Sequence, residues 1–242
     1  MPSHASGKRR VLQAEPVVLP IPSFAEGRSA DPDPSLIRPR LVASPAFERF
    51  RFSFFEDPNS AHDGLDASSL GELTGVERAR AEDMLIGFLP DIRGVIGLGV
   101  LRSRRAEPLL VPLFEDERRQ KGSGLTYLAL ALWRIRPDPR WRPALIDMLS
   151  SAEFYIQRMN AAIALREVRD PAVVPPLIAA LDNPESLVRY HAAYALLVVH
   201  GVPVDALNLP EMLYRVMADD PVRRAGGKGD VLAAIAGRTI AP

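Results

Sequence analysis

From Val76 onward the apolar positions recur at helical spacing. In the stretch from Val76 to Leu89, apolar side chains stand at Val76, Ala79, Met84, Leu85, Phe88 and Leu89, while Glu77, Arg78, Arg80, Glu82 and Asp83 fill much of the rest. This pattern predicts an amphipathic helix. Pro90 separates it from a second helix that Asp91 is placed to cap. Upstream the pattern differs. Phe47, Phe50, Phe52, Phe54 and Phe55 crowd together, and Phe50, Phe52 and Phe54 alternate as a short strand would. Residues 58–69 read as a turn-rich loop, and residues 1–45, studded with prolines from Pro16 to Pro45, read as an extended or disordered arm.

The helical part repeats. Arg93 to Val100, Arg158 to Leu165 and Arg189 to Leu196 align, each opening on Arg, with small residues at Gly97, Gly99, Ala162, Ala164, Ala193 and Ala195. Leu125 to Leu132 is a further copy that keeps Ala129 and Ala131 but lacks the Arg. A second set of helices lies between these copies, led by Pro108, Pro143 and Pro175, with Leu110, Leu145 and Leu177 in matching places. Proline suits a first helical turn, where the amide has no partner. Pairs of this kind cannot bury their apolar faces alone, so they stack, and the small residues let helices approach. Asp182-Asn183-Pro184 and Asp219-Asp220-Pro221 supply tight turns.

The run from Asp182 to Leu196 resembles the HEAT repeat, and more narrowly the short bacterial HEAT-like repeats of the phycobilin-lyase type. The resemblance spans about 76–235 and is strongest over 143–200. It implies a right-handed all-α solenoid of about four to five helical pairs over 76–242, preceded by an aromatic and turn-rich cap at 46–75 and the arm at 1–45. It also implies that Asp182 and Arg189 bridge turn and helix. Gly226-Gly227-Lys228-Gly229 departs from the pattern where small-small-x-small is expected, which suggests a frayed end.

Charge narrows the function classes. Thirty basic and thirty acidic side chains cancel, which disfavours a general polyanion binder. Residues 46–93 hold ten acids and five bases, making this block either a solvated face or an interaction surface. The chain has no cysteine, so thiolate metal sites, disulfides and a cysteine nucleophile are excluded. No stretch reaches the length of a membrane span and no signal-type apolar region follows the basic start, so a cytoplasmic protein is expected.

No catalytic motif emerges. The four histidines, His4, His62, His191 and His200, show no metal-ligand spacing. The glycines at 122–124 and 226–229 do not match a phosphate loop. The stretch 133–142 packs Trp133, Trp141 and four arginines, a composition that fits a protein hot spot, a base-stacking groove or, more simply, tryptophans packed between repeats with solvated arginines.

By resemblance, the second helix of each pair lines the concave side. Its candidate partner-binding residues are Tyr127, Trp133, Tyr155, Met159, Asn160, Arg166, Tyr190, His191 and Tyr194. Tyr190 and Tyr194 stand one turn apart on one face. The expected function is to hold a bacterial protein, a toxin or enzyme, as an immunity protein or adaptor does. No enzyme activity, cofactor, metal, nucleic acid or membrane is expected. Lyase-type and DNA-binding HEAT-like proteins are the alternatives.

Overall fold

The computed structural model describes residues 43–57, 65–205 and 209–240. Among them, α1 (Pro45–Arg51), a π-helical turn (Phe52–Glu56) and α2 (Ala67–Glu72) come first. Then follow α3 (Gly75–Gly87), α4 (Ile92–Val100), α5 (Glu107–Gln120), α6 (Leu125–Ile135), α7 (Arg142–Ser151), α8 (Tyr155–Leu165), α9 (Val174–Ala180), α10 (Ser186–Val199), α11 (Glu211–Met217) and α12 (Pro221–Ile235). From α3 on, the two helices of each successive pair pack on each other, and the even-numbered helices also pack on one another from α4 through α12. The result is all-α: five helical pairs, α3/α4 to α11/α12, whose second helices form one continuous layer. Among the described residues no helix is long and apolar enough to cross a membrane.

Local sequence explains the pairs. Asp138 and Asp170 accept hydrogen bonds from the amides of Arg140 (3.0 Å) and Ala172 (2.9 Å). Each opens a single 3-10 turn, Pro139–Trp141 and Pro171–Val173, that leads into α7 and α9. Trp141 and Val173 hold the same place in this device, and both are buried. The second-helix layer depends on small side chains. A Cβ added to Gly99 would lie 2.8 Å from the Cα of Ala131, so α4 and α6 touch backbone to backbone. Ala161, Ala162, Ala164, Ala192, Ala193 and Ala195 are buried in the helices that follow.

Arg189 is buried, and its guanidinium reaches two structures at once. It donates to the carbonyls of Asn183 (2.8 Å) and Pro184 (2.7 Å) in the turn before α10. It also donates to Val216 (2.7 Å), Met217 (3.1 Å) and Ala218 (3.4 Å) at the end of α11. Those last carbonyls have no intrahelical partner and form the negative end of the helix dipole. Arg189 therefore ties its own turn to the next pair. Arg189 does not pair with Asp182, which pairs with Lys228 at 2.5 Å. Arg158 makes the turn-side half of the same clamp, donating to Ala152 (2.6 Å) and Glu153 (2.9 Å).

Other expectations are corrected or fall largely outside the described residues. The alternating phenylalanines form no strand. Ser44 accepts from the amide of Phe47 (3.1 Å), Pro45 starts α1, and Phe47, Phe50 and Phe54 turn inward at helical spacing, leaving Phe52 55% exposed. The proposed arm, 1–45, lies outside the described residues up to 42. Its end is anchored, since the amide and hydroxyl of Ser44 both donate to Glu77 (2.7 and 2.6 Å). The turn-rich loop lies outside the described residues at 58–64, and its last residues, Ala67 to Ser69, are the first turn of α2, capped by Asp66. Finally, α12 runs unbroken through its glycines. Gly227 is required there by a close approach, since a Cβ would sit 2.7 Å from the amide nitrogen of Val216.

Two outcomes follow. Replacing Ala162 or Ala193 with Leu should overpack the second-helix layer and cost about 1–3 kcal/mol in a urea titration. Arg189→Met keeps the length but strips the turn and α11 of a charged donor, which should cost roughly 2–4 kcal/mol. Arg189→Lys should recover less than half of that loss, because a point charge cannot serve both sets of carbonyls.

Candidate functional site

The outward face of the second-helix layer is set by what the inward face must bury. In α8 the buried residues are Ala161, Ala162, Ala164 and Leu165, which at 100° per residue leaves Ile156, Met159, Asn160, Ile163 and Arg166 on the opposite side. In α10 the same reasoning leaves Leu187, Tyr190, His191, Tyr194 and Val198, and in α6 it leaves Tyr127, Leu130, Trp133 and Arg134. The nine residues singled out from sequence all fall on this face or its edge. Tyr155 stands at its far end, three turns or about 16 Å along α8 from Arg166.

Stacking brings equivalent positions together. Asn160 donates its amide to the Tyr127 hydroxyl at 3.0 Å, across α6 and α8. The indole nitrogen of Trp133 donates to the carbonyl of Glu167 at 3.2 Å. Arg166 lies against α10, with its guanidinium carbon 4.4 Å from the centre of the Tyr194 ring and one amino group 2.5 Å from Nδ1 of His191. The rings of Tyr190 and His191 meet edge-on at 4.8 Å, and those of Tyr190 and Tyr194 at 6.2 Å.

Charge in this cluster is unusual. Arg166 can only donate, so Nδ1 of His191 must accept and the ring proton sits on Nε2. Burial, reinforced by the nearby Arg166 cation, lowers the His191 pKa from 6.5 to about 4. Burial also lowers the pKa of Arg166 and raises those of Tyr127 and Tyr190. The Nε of Arg166 is buried without a partner. Met159 and Ile163 continue the surface toward Tyr155 (43% exposed), Ile156 (50%) and Leu187 (41%). The face thus grades from exposed apolar side chains at one end of the helices to a cation among aromatic rings at the other.

Residues 126–225 match the family model for HEAT repeats. The HEAT match runs from α6 into α12 and so contains the whole cluster. No curated protein and no solved structure matches the chain.

The arginine and tryptophan stretch beside these HEAT helices proves to be mostly framework. Trp141 is buried and meets Phe114 edge-on at 5.0 Å. Its arginines are not merely solvated. Arg134 pairs with Glu167, Arg136 with Glu107, Arg140 with Asp138, and Arg142 with Asp170. Much of the acidic block at 46–93 is likewise paired within the chain, Glu82 and Asp83 with Arg105, Asp66 and Glu72 with Arg49. Sequence reasoning missed Leu130, Ile156, Ile163 and Leu187. The repeat register held the signal for two of them, since Leu130 and Ile163 occupy the position of Tyr194.

The pH behaviour of His191 checks this geometry. With a folded pKa near 4 against 6.5 unfolded, the unfolded chain takes the proton first as pH falls. The stability contributed by neutral His191 should be intact above pH 6.5 and lost between there and pH 4. NMR titration should place the ring midpoint near 4, and His191→Gln should show a smaller loss of stability than the parent over that window.

Proposed function

We propose that this chain is a protein-binding scaffold that performs no chemistry of its own and holds its partner against the outward face of α6, α8 and α10. The single observation that carries the reading is the cluster of Tyr190, His191, Tyr194 and Arg166, large side chains that rest on the core, touch one another across neighbouring pairs and stay only partly buried. Tyrosine and arginine combine wide apolar contact with a polar tip, which is why they recur as anchors in protein interfaces. The exposed Tyr155, Ile156 and Leu187 widen that surface. A rigid stack of helix pairs presents it without the ordering cost that a loop would bear.

Our assignment of the partner class, a bacterial toxin or enzyme masked by an immunity protein or adaptor, leans on the resemblance to short bacterial HEAT-like proteins. The rival nucleic-acid reading loses its main support, because the arginines at 134–142 are engaged with carboxylates of this chain.

A photo-crosslinking residue placed at Tyr190 should join the chain to one defined protein in its host, and the same residue placed at Ser150 on α7 should not. With that protein purified, changing Tyr190 and Tyr194 together to Ala should weaken the complex on the order of a hundredfold by titration calorimetry. Circular dichroism of the variant should remain that of the parent. An unchanged affinity with an intact fold would move the binding surface elsewhere.

A further inference from the structure

The four stacked helices α4, α6, α8 and α10 contain no aspartate and no glutamate. Every acid in the paired helices stands on a first helix, in a turn or on α12. Their own cations are mostly committed: Arg93 to Asp91, Arg134 to Glu167, Arg158 and Arg189 to backbone carbonyls. Three arginines at the ends of these helices are not. Among the described residues no carboxylate pairs with Arg166, Arg102 or Arg104. The one acid nearby, Glu167, is held by Arg134 through both oxygens.

Arg102 and Arg104 line a depression of about 430 Å³ with Trp133, Arg134 and Glu167. Glu167, on the rim of this depression, directly follows Arg166 in the chain. Arg102 also occupies a costly position. It follows α4 with φ at +50°, a left-handed conformation that glycine adopts freely and arginine does not. Among the described residues its exposed side chain makes no hydrogen bond or ion pair.

From the acid-free layer and its three unmatched cations we infer that the face takes an acidic segment of a protein partner, one carboxylate seating on Arg166 beside the Tyr194 ring and further carboxylates facing Arg102 and Arg104. The inference rests on the protein-binding reading and adds the chemistry of what is bound. A carboxylate would supply the anion that Arg166 lacks, with the guanidinium already oriented by its stacking on Tyr194 and its bond to His191. Beside the Arg134–Glu167 pair the outward face of α6 and α8 carries Leu130 and Ile163, which suits a segment whose acids alternate with apolar residues. A nucleic acid fits less well, because its affinity grows with the number of phosphates neutralised and three free arginines neutralise few.

The test uses the full chain and three labelled probes in fluorescence polarisation: a peptide of glutamates interspersed with leucines, the same peptide with glutamine for glutamate, and a 20-base-pair DNA duplex. The acidic peptide should bind at least about tenfold more tightly than the glutamine peptide, and more tightly as salt is lowered. Arg166→Gln should remove that tenfold advantage without changing the circular dichroism spectrum. Arg102→Gly deletes a charge while relieving the backbone, so it should weaken the acidic peptide yet raise the melting temperature. Equal binding of the two peptides, or indifference to both variants, would overturn the inference, as would tighter binding of the duplex. A partner crosslinked at Tyr190 that binds Arg166→Gln as well as the parent would overturn the acidic assignment and leave the protein-binding reading standing. Absence of any crosslinked partner would instead overturn that reading.

Discussion

The second helices of this fold approach closely because their facing positions carry almost no side chain. Gly99 against Ala131 is the tightest case, with backbone within contact of backbone. Interiors of this kind are close-packed, so a single added methylene is felt. The same closeness has a consequence on the other side of the helices. Side chains pointing outward from successive pairs are brought within bonding distance, although they are far apart in sequence. Tyr127 and Asn160 meet at 3.0 Å, and Arg166 meets His191. The outward face is therefore a by-product of how the small residues pack, and a change at the seam would misalign the ladder that faces outward.

Charge is distributed by the same logic. A second helix has one side pressed into the seam, one against its own first helix and one outward. Carboxylates have no place on the first two, and on these helices the third lacks them too. Arginine does appear, in two different uses. Arg158 and Arg189 serve as internal clamps, their charge met by carbonyls at turns and at a helix end instead of by an acid. Burying such a cation is tolerable only because several acceptors surround it. Arg166 is partly buried with a single neutral acceptor and an aromatic ring, which leaves its charge unmatched.

The repeat architecture was legible because each pair reuses the same physical solutions: a proline in the first turn, a leucine in the core, small residues at the seam. The three-to-four residue period of the phenylalanines was less legible, since Phe50, Phe52 and Phe54 also fit a period of two. The cap at Ser44 and Pro45 decides between them by starting a helix at that point. Arg189 was recognised as structural, but its partner was sought seven residues away at Asp182. The actual acceptors at 216–218 belong to the next pair, and no local spacing reveals them. The arginine-rich stretch misled for a similar reason. In sequence its charges look free, whereas Glu107, Glu167 and Asp170, all outside the stretch, stack onto them.

What separates the outward cluster from ordinary packing is the state of its ionisable groups. A histidine that merely fills space on a core helix finds a local carbonyl, as His200 does with Leu196 at 2.8 Å. His191 instead accepts from an arginine of the neighbouring pair and is held neutral by burial, with that cation adding to the effect. That arrangement holds the guanidinium in place at the expense of the histidine's own charge, and it raises no barrier to an anion approaching from solvent. A carboxylate opposite Arg166 would meet its charge, yet the side chains that touch it from α10 are His191 and Tyr194. The missing countercharge is the feature that internal packing does not account for, and a partner that brings its own carboxylate is the simplest physical reason for leaving the place open.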